Sequence, residues 1–327
     1  MSDYFLGVDG GQSSTIAVIG DEAGKIAGWA SAGPCNHVGA AEGRAKFLRV
    51  MGECISQAAA RAGFDAKNRP HFKAACLGMS GGPDDKAGLL AELFDAGRIV
   101  VTHDAKIAWA GATEGTPGLI VIAGTGSIAY GENAQGESAR AGGWGFIYGD
   151  EGGAFDIARQ ALRATLREYE GWGPRTALTP ALMELTGAAH ANDALHRFYT
   201  VDWPRARVAG LAQTVDRIAA EGDPVAGDIL RNAAQQLALL AASVRRQLWS
   251  DAAAASAIRI SWAGGVFQSQ MLLDRFRTLA SLDGDVSVEA PRRSPAAGAL
   301  IIAYRASGLP SLPEPVPDSK TRYNPET

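Results

Sequence analysis

The chain has 327 residues, of which 46% are hydrophobic and 20% are charged, and its formal net charge is −4. This length and composition are typical of a globular protein of two domains, and they exclude a disordered or fibrous chain. The small acidic excess argues against a nucleic-acid partner, because binding to nucleic acid requires a basic surface.

Cysteine content and hydropathy predict the cellular compartment. The three cysteines, Cys35, Cys54 and Cys76, lack both the even number of a disulfide framework and the spacing of a metal site. No basic segment precedes the first apolar residues, and no apolar run reaches the ~18 residues of a membrane helix. We therefore expect a cytoplasmic protein with reduced cysteines and no membrane partner.

Strands and helices alternate in the first part of the chain, which predicts an α/β fold with a largely parallel sheet. Strands are predicted at residues 4–8, 16–19, 25–30, 72–77 and 98–102, and helices at 41–62, 85–94 and 106–112. The order strand, glycine turn, strand, polar turn and strand returns after residue 118, with strands at 119–123 and 128–130. This weak repeat predicts two domains of one architecture.

The second part of the chain is predicted to be mostly helical. Helices are predicted at 154–170, 179–185, 205–221, 224–248, 268–280 and 295–306, and strands at 258–262 and 286–289. We place an N-terminal domain at 1–115, a C-terminal domain at 116–308 and a proline-rich tail at 309–327. In an alternative assignment, the closing helix at 295–306 packs back on the first domain.

Three glycine-containing turns follow apolar strands, and they are the most informative local signals. They are Asp9-Gly10-Gly11-Gln12-Ser13-Ser14-Thr15, Gly124-Thr125-Gly126-Ser127 and Ala263-Gly264-Gly265-Val266. Glycine lets the backbone approach a phosphate closely, and free N–H groups and hydroxyls donate hydrogen bonds to it. None has the Walker A or dinucleotide-binding spacing, and each one alone could be an ordinary turn. Asp9 could hold Mg²⁺ directly or through water.

The three turns resemble the first phosphate, second phosphate and adenosine motifs of the sugar kinase–Hsc70–actin superfamily. Residues 142–155, with the sequence GGWGFIYGDEGGAF, are more specific. They resemble the N-acetylglucosamine kinase branch of the BadF/BadG/BcrA/BcrD-type ATPase family. The similarity covers about residues 4–306 and departs at Gln12, where many members have glycine.

This resemblance implies a fold of two ribonuclease H-like domains, of the actin and hexokinase type, around a central cleft, with a helix-rich second domain. It implies transfer of the γ-phosphoryl group of ATP, with Mg²⁺, to the 6-hydroxyl of an amino sugar. N-acetyl-D-glucosamine is the first choice of substrate and glucosamine the alternative. We also expect a homodimer.

Candidate site residues follow from the motifs and the resemblance. Asp104 follows a strand at a helix start, where it could be an N-cap; the resemblance implies the general base. The predicted sugar-binding residues are Asn36, Ser80, Gly81, Gly143, Trp144, Gly145, Asp150 and Glu151. The predicted ATP-binding residues are Gly10, Gly11, Gln12, Ser13, Ser14, Thr15, Gly124, Thr125, Gly126, Ser127, Gly264, Gly265 and Val266, with Asp9 as the metal ligand. Asn36 could instead form a turn, Asp150 and Glu151 could cap a helix, and Trp144 could lie in the core.

Two other classes of function remain to be distinguished. The same family includes ATPases that activate a dehydratase or reductase through a bridging iron–sulfur cluster, which requires cysteine thiolates near a dimer interface. All three cysteines precede the second glycine turn, which disfavours this role. A sugar-sensing module without turnover is disfavoured by Asp104 together with the complete set of phosphate turns.

Overall fold

The computed structural model describes residues 3–11, 14–35, 43–65, 68–79, 87–249, 257–282 and 285–316. The chain forms two compact units: unit 1 contains Met1–Gly118 and Ala290–Thr327, and unit 2 contains Leu119–Glu289. Each unit is built on a five-stranded sheet. Within the described ranges, no helix has both the length and the apolar character needed to cross a membrane.

The sheet of unit 1 has three parallel strands and an antiparallel hairpin at one edge. The elements of the first segment of unit 1 are β1 (Tyr4–Gly10), β2 (Thr15–Asp21), β3 (Ile26–Ala32), α1 (Gly43–Arg61), β4 (His71–Phe72), β5 (Ala74–Met79), α2 (Ala87–Leu90), β6 (Asp95–Ala96), β7 (Ile99–His103) and α3 (Asp104–Thr113). The strand order is β3-β2-β1-β5-β7, while β4 and β6 form a separate pair. Strands β1, β5 and β7 run parallel, and β2 is antiparallel to both β1 and β3.

Unit 2 repeats this sheet and adds most of the helices. Its elements are β8 (Gly118–Ala123), β9 (Ser127–Glu132), β10 (Ser138–Gly142), α4 (Ala154–Tyr169), α5 (Leu178–Thr186), α6 (Ala191–Phe198), α7 (Arg205–Gly210), α8 (Ala212–Ala220), α9 (Pro224–Leu248), β11 (Ile258–Ala263), a short 3-10 helix (Gly265–Gln268), α10 (Gln270–Ala280) and β12 (Val286–Val288). The strand order β10-β9-β8-β11-β12 matches that of unit 1, so the predicted repeat of architecture is confirmed.

The last helix, α11 (Pro295–Ala306), belongs to unit 1. Its apolar residues share a core with Phe5 of β1, Val18 of β2 and Ile107 of α3. Gly7 allows this packing, because a side chain there would begin 2.5 Å from the Leu300 backbone nitrogen. The predicted end of the second domain at residue 308 is therefore corrected to Glu289, and the alternative placement of the closing helix is the one observed.

Several predicted helix boundaries also change. The predicted helix at 205–221 is divided into α7 and α8, which meet at Leu211, and α6 has no counterpart among the predicted helices. The predicted helix at 268–280 starts at Gln270, because the hydroxyl of Ser269 accepts from the Leu272 N–H and forms the N-cap. Of the predicted helix at 85–94, the described part is helical only at Ala87–Leu90.

Candidate active site

Three parallel strands of unit 1 end side by side. Gly10 of β1 is paired with Met79 of β5, and Met79 is paired with His103 of β7. Ligands of α/β proteins bind outside the carboxyl ends of such strands, where loops carry polar side chains. The first glycine turn and Asp104 follow β1 and β7 directly, so both lie at this edge of the sheet.

The first glycine turn connects β1 to β2. The Gly11 N–H donates to the Ser14 carbonyl at 3.0 Å, which closes the turn. Thr15, the first residue of β2, is fully buried, and its hydroxyl donates to the Gly33 carbonyl at 3.0 Å. This hydroxyl therefore supports the turn from inside unit 1, which argues against the predicted contact between Thr15 and ATP.

Part of the predicted site cannot be compared with the structure. Five of the predicted residues lie outside the described ranges and stay predictions: Gln12, Ser13, Asn36, Ser80 and Gly81. The residues just before two of these segments do reach the first turn. The Cys35 N–H donates to the Gly11 carbonyl at 3.1 Å, and a side chain at Gly10 would begin 3.0 Å from Met79 Cγ.

Asp9 and Asp104 form an electrostatically coupled pair of carboxylates at this edge. Burial, together with the negative charge of Asp104, raises the pKa of Asp9 to about 7. Two carboxylates that lie close enough for the charge of Asp104 to disfavour ionisation of Asp9 form a local site for a cation. Mg²⁺ usually binds one or two carboxylates together with substrate phosphates and water, so this donor set fits Mg²⁺.

Asp104 begins helix α3 without being its N-cap. His103 is the N-cap, and its Nδ1 accepts from the Lys106 N–H at 3.1 Å. One carboxylate oxygen of Asp104, Oδ1, accepts from the Ala105 N–H at 2.8 Å, and the side chain is only partly buried. The alternative that Asp104 caps the helix is therefore wrong, because the preceding residue has that role.

The second glycine turn (residues 124–127) connects β8 to β9 in unit 2, and helix α4 begins beside it. The Ala154 N–H donates to the Gly124 carbonyl at 2.9 Å, and the Phe155 N–H donates to the Thr125 carbonyl at 3.1 Å. The first N–H groups of a helix have no acceptor within the helix, and here the carbonyl groups of the turn accept from two of them. The turn is thus held in position by α4.

The third glycine turn packs on the second one. Strand β11 is parallel to β8, with Ala263 paired with Ile122. Gly264 has φ +104°, and a side chain there would begin 2.3 Å from the Ala123 carbonyl oxygen. In contrast, no atom of the described structure lies within 4 Å of a side chain built at Gly124 or Gly265. These two glycines therefore border open space of the kind that a nucleotide would fill. Val266 is buried, so its side chain is directed into unit 2.

Asp150 holds the second glycine turn from one side. Its carboxylate accepts from the Ser127 N–H at 3.3 Å and forms an ion pair with Arg205. It lies so close to Gly126 that a side chain at Gly126 would begin 2.4 Å from it. Asp150 also has φ +63°, a strained conformation for a residue with a side chain. Because its carboxylate already binds the Ser127 N–H and Arg205 within unit 2, the predicted role of Asp150 in binding sugar hydroxyls is disfavoured.

Residues 143–148 and Glu151 present a more accessible surface. Trp144 is 65% exposed, and the Arg140 guanidinium carbon lies 4.8 Å from the centre of its ring, so the alternative of a core tryptophan is wrong. Gly143 and Gly145 flank it with φ +73° and +80°, which favour glycine. The Glu151 side chain is exposed, while its backbone carbonyl accepts from the Ser127 hydroxyl at 2.6 Å.

The chain belongs to the BadF/BadG/BcrA/BcrD ATPase family, whose sequence profile matches residues 6–303. It is similar to an N-acetylmuramic acid/N-acetylglucosamine kinase of Clostridium acetobutylicum, with 33% identity over 92% of this chain and 98% of the relative. It is also 31% identical to an N-acetyl-D-glucosamine kinase of Dictyostelium discoideum over 76% of this chain and 81% of the relative.

Solved structures agree with this classification. A candidate N-acetylglucosamine kinase of Chromobacterium violaceum has a TM-score of 0.73 and 25% identity, covering 92% of this chain and 99% of the other. A ROK family glucokinase of Streptomyces griseus, solved with glucose and AMPPNP, shares the fold with a TM-score of 0.55 and 18% identity, over 93% and 99% of the two chains. The protein is an ATP-dependent sugar kinase, and its relatives support amino-sugar kinase activity.

Proposed function

We propose that this enzyme transfers the γ-phosphoryl group of ATP to the 6-hydroxyl of N-acetyl-D-glucosamine, with glucosamine as the alternative acceptor. The observation that carries the proposal is the placement of Asp104 beside the first glycine turn, at the carboxyl edge of the unit 1 sheet. The names of the curated relatives support an amino sugar as acceptor.

Asp104 is the proposed general base. Phosphoryl transfer requires mainly positioning and charge stabilisation, with one carboxylate to accept the proton of the attacking hydroxyl. The hydrogen bond from the Ala105 N–H fixes one oxygen of this carboxylate, and His103 fixes the start of the helix. Asp104 is therefore held rigidly while its side chain remains partly exposed, as a base that must reach a substrate requires.

The three glycine turns are the proposed nucleotide-binding elements. The first turn follows Asp9 directly, and the second and third turns leave open space beside Gly124 and Gly265. Asp9, with Asp104 close by, would hold Mg²⁺, which when bound neutralises negative charge on the transferring phosphate. A bound cation would also keep Asp9 ionised, since it offsets the effects that raise its pKa.

Sugar recognition is proposed for residues that remain free to meet a ligand. Asn36, Ser80 and Gly81 keep this role as a prediction. Gly143, Trp144, Gly145 and the exposed carboxylate of Glu151 keep it in unit 2, where a tryptophan face suits the apolar face of a pyranose ring. We assign Asp150 to the support of the second glycine turn.

The properties of the cysteines disfavour the activator-type ATPase as a second candidate. All three thiols are reduced and buried in unit 1. Burial raises the pKa of Cys54 to about 11 and that of Cys76 to about 12, so both stay protonated at neutral pH. Ligands of an iron–sulfur cluster must be thiolates, which these groups do not readily supply.

The proposal is tested by measuring ADP release with a panel of sugars. The panel contains N-acetylglucosamine, glucosamine, N-acetylmannosamine, N-acetylmuramic acid, muramic acid and glucose. We expect slow ATP hydrolysis without sugar and strong stimulation by N-acetylglucosamine. 6-Deoxy-N-acetylglucosamine should compete with the substrate and accept no phosphate. Equal rates with and without every sugar would disprove kinase activity, and phosphorylation of the 6-deoxy sugar would disprove the assigned position.

A further inference from the structure

Unit 2 contains a cavity that none of the predicted site residues accounts for. It has a volume of about 630 Å³ and lies between residues 146–147 and helices α4, α5, α6 and α7. We call it the unit 2 cavity. Its size is in the range of binding sites for small organic ligands, which are mostly apolar with a few polar groups that fix orientation.

The polar groups of the unit 2 cavity are cationic or donate hydrogen bonds. Aromatic residues, among them Phe155, Phe198 and Trp203, form much of its wall. Three arginines, Arg159, Arg163 and Arg205, also line it, and no lining residue in the described part of the chain is acidic. Such a combination of apolar wall and guanidinium groups is complementary to an organic anion.

Three buried donor atoms of residues that line the cavity have no hydrogen-bond partner within the described protein. The hydroxyl of Thr165, a residue that is 2% exposed, makes no hydrogen bond there, and neither do the Nε atoms of Arg159 and Arg205. Buried polar groups nearly always have a partner, so these atoms leave unused donor capacity in the residues that form the cavity wall. Arg159 is paired with Asp156 and Arg205 with Asp150. Arg163 makes no ion pair with any described residue, so its charge is the one available to an anion in the cavity.

One of the arginines links the unit 2 cavity to the second glycine turn. Arg205 lines the cavity and binds the carboxylate of Asp150, which in turn accepts from the Ser127 N–H. An anion in the cavity would compete with Asp150 for the guanidinium of Arg205. It would thereby loosen the support of a turn that we assign to ATP binding.

We propose that the unit 2 cavity binds a small amphipathic anion, an aromatic or aliphatic body carrying a carboxylate or sulfonate, and that this anion weakens ATP binding through Arg205 and Asp150. The binding half of this proposal is independent of the kinase reaction. The effect on ATP rests on the proposed function of the second glycine turn.

The test uses two fluorescent probes that differ by one charged group. 8-Anilinonaphthalene-1-sulfonate carries the anion, and N-phenyl-1-naphthylamine is its uncharged counterpart. Arg163→Gln should weaken binding of the sulfonate by about two- to five-fold, as loss of one exposed ion pair predicts, and leave the neutral probe unchanged. Ala194→Leu, which adds volume to the cavity wall, should weaken both probes. Arg217→Gln on α8, an exposed arginine outside the wall, is the matched control and should change neither.

Turnover is then measured with the best sugar of the panel. Saturating sulfonate probe should raise the KM for ATP of the parent enzyme by about three-fold or more, and Ala194→Leu should abolish this effect. If binding of the sulfonate is insensitive to both Arg163→Gln and Ala194→Leu, the probe binds elsewhere and the proposed site is wrong. If the probe binds as expected and the KM for ATP stays constant, the link through Arg205 is wrong. Inhibition that persists in Ala194→Leu also overturns the link.

Discussion

Two glycines of the second glycine turn offer a matched pair of substitutions with opposite expected results. Gly126→Ala places a Cβ 2.4 Å from the Asp150 carboxylate, whereas Gly124→Ala places one where no described atom lies within 4 Å. Neither glycine is in the left-handed region, so alanine brings no backbone strain of its own. The two variants therefore separate the support of the turn from the space beside it.

The expected loss of stability follows from what Asp150 must give up. In Gly126→Ala the carboxylate has to leave the Ser127 N–H, a buried bond whose loss costs about 1–3 kcal/mol. Its ion pair with Arg205 is strained at the same time, although this side chain is 31% exposed and solvent reduces the cost. We expect a total of about 2–4 kcal/mol and a Tm lower by about 3–6 °C. Gly124→Ala should stay within about 1 kcal/mol of the parent protein.

Urea denaturation measures the stability of both variants, and calorimetry measures their affinity for ATP. Gly124→Ala should lose ATP affinity without losing stability. Adding Asp150→Gly to Gly126→Ala removes the clash, so the double variant should be more stable than the sum of the single effects predicts. Equal stability of Gly126→Ala and Gly124→Ala, or strict additivity in the double variant, would refute this account of the turn.

Three further predictions concern the proposed site. Asp104→Asn should lower kcat by about 10²–10⁴-fold while the Tm stays near that of the parent, because His103 caps the helix; an unchanged rate of ADP release would show that the base lies elsewhere. Gly265→Val should weaken ATP binding in calorimetry and leave the melting curve intact, since no described atom lies within 4 Å of the added Cβ. The pKa of Asp9 is about 7 in the folded protein against an ordinary value of 3.8, so the folded state binds more protons between these values. The free energy of unfolding should therefore fall as pH rises from about 4 to about 7, and Asp9→Asn should reduce this dependence in urea denaturation of the ligand-free protein.

Local patterns in the sequence predict the elements that carry the nucleotide turns. Apolar residues with a glycine turn at their end mark β1, β8 and β11, and all three are found as strands. The same patterns do not give the direction of each side chain. Thr15 follows the first turn in sequence, but as the first residue of β2 it is directed into the protein. The alternation of inward-facing and outward-facing side chains along a strand is the sequence signal that predicts this direction for Thr15.

The sequence does not show which side chains that are far apart along the chain form ion pairs in the fold. Asp150 and Arg205 are separated by 55 residues, and only the folding of α4 and α7 brings them together. Arg205 was therefore absent from the predicted site. The division between α7 and α8 did have a local signal, since Gly210 lies at the end of α7 and glycine disfavours a continuous helix.

The return of α11 to unit 1 has a consequence for synthesis of the chain on the ribosome. One face of β1 and β2, including Phe5 and Val18, is covered by residues of α11. These strands are made before unit 2 and α11 is made after it, so that face stays open to solvent while unit 2 is synthesised. Unit 2 is one continuous segment, which ends before α11 is made. The nascent chain can thus complete unit 2 before unit 1, and until α11 is made β1 and β2 keep an apolar surface that chaperones would recognise.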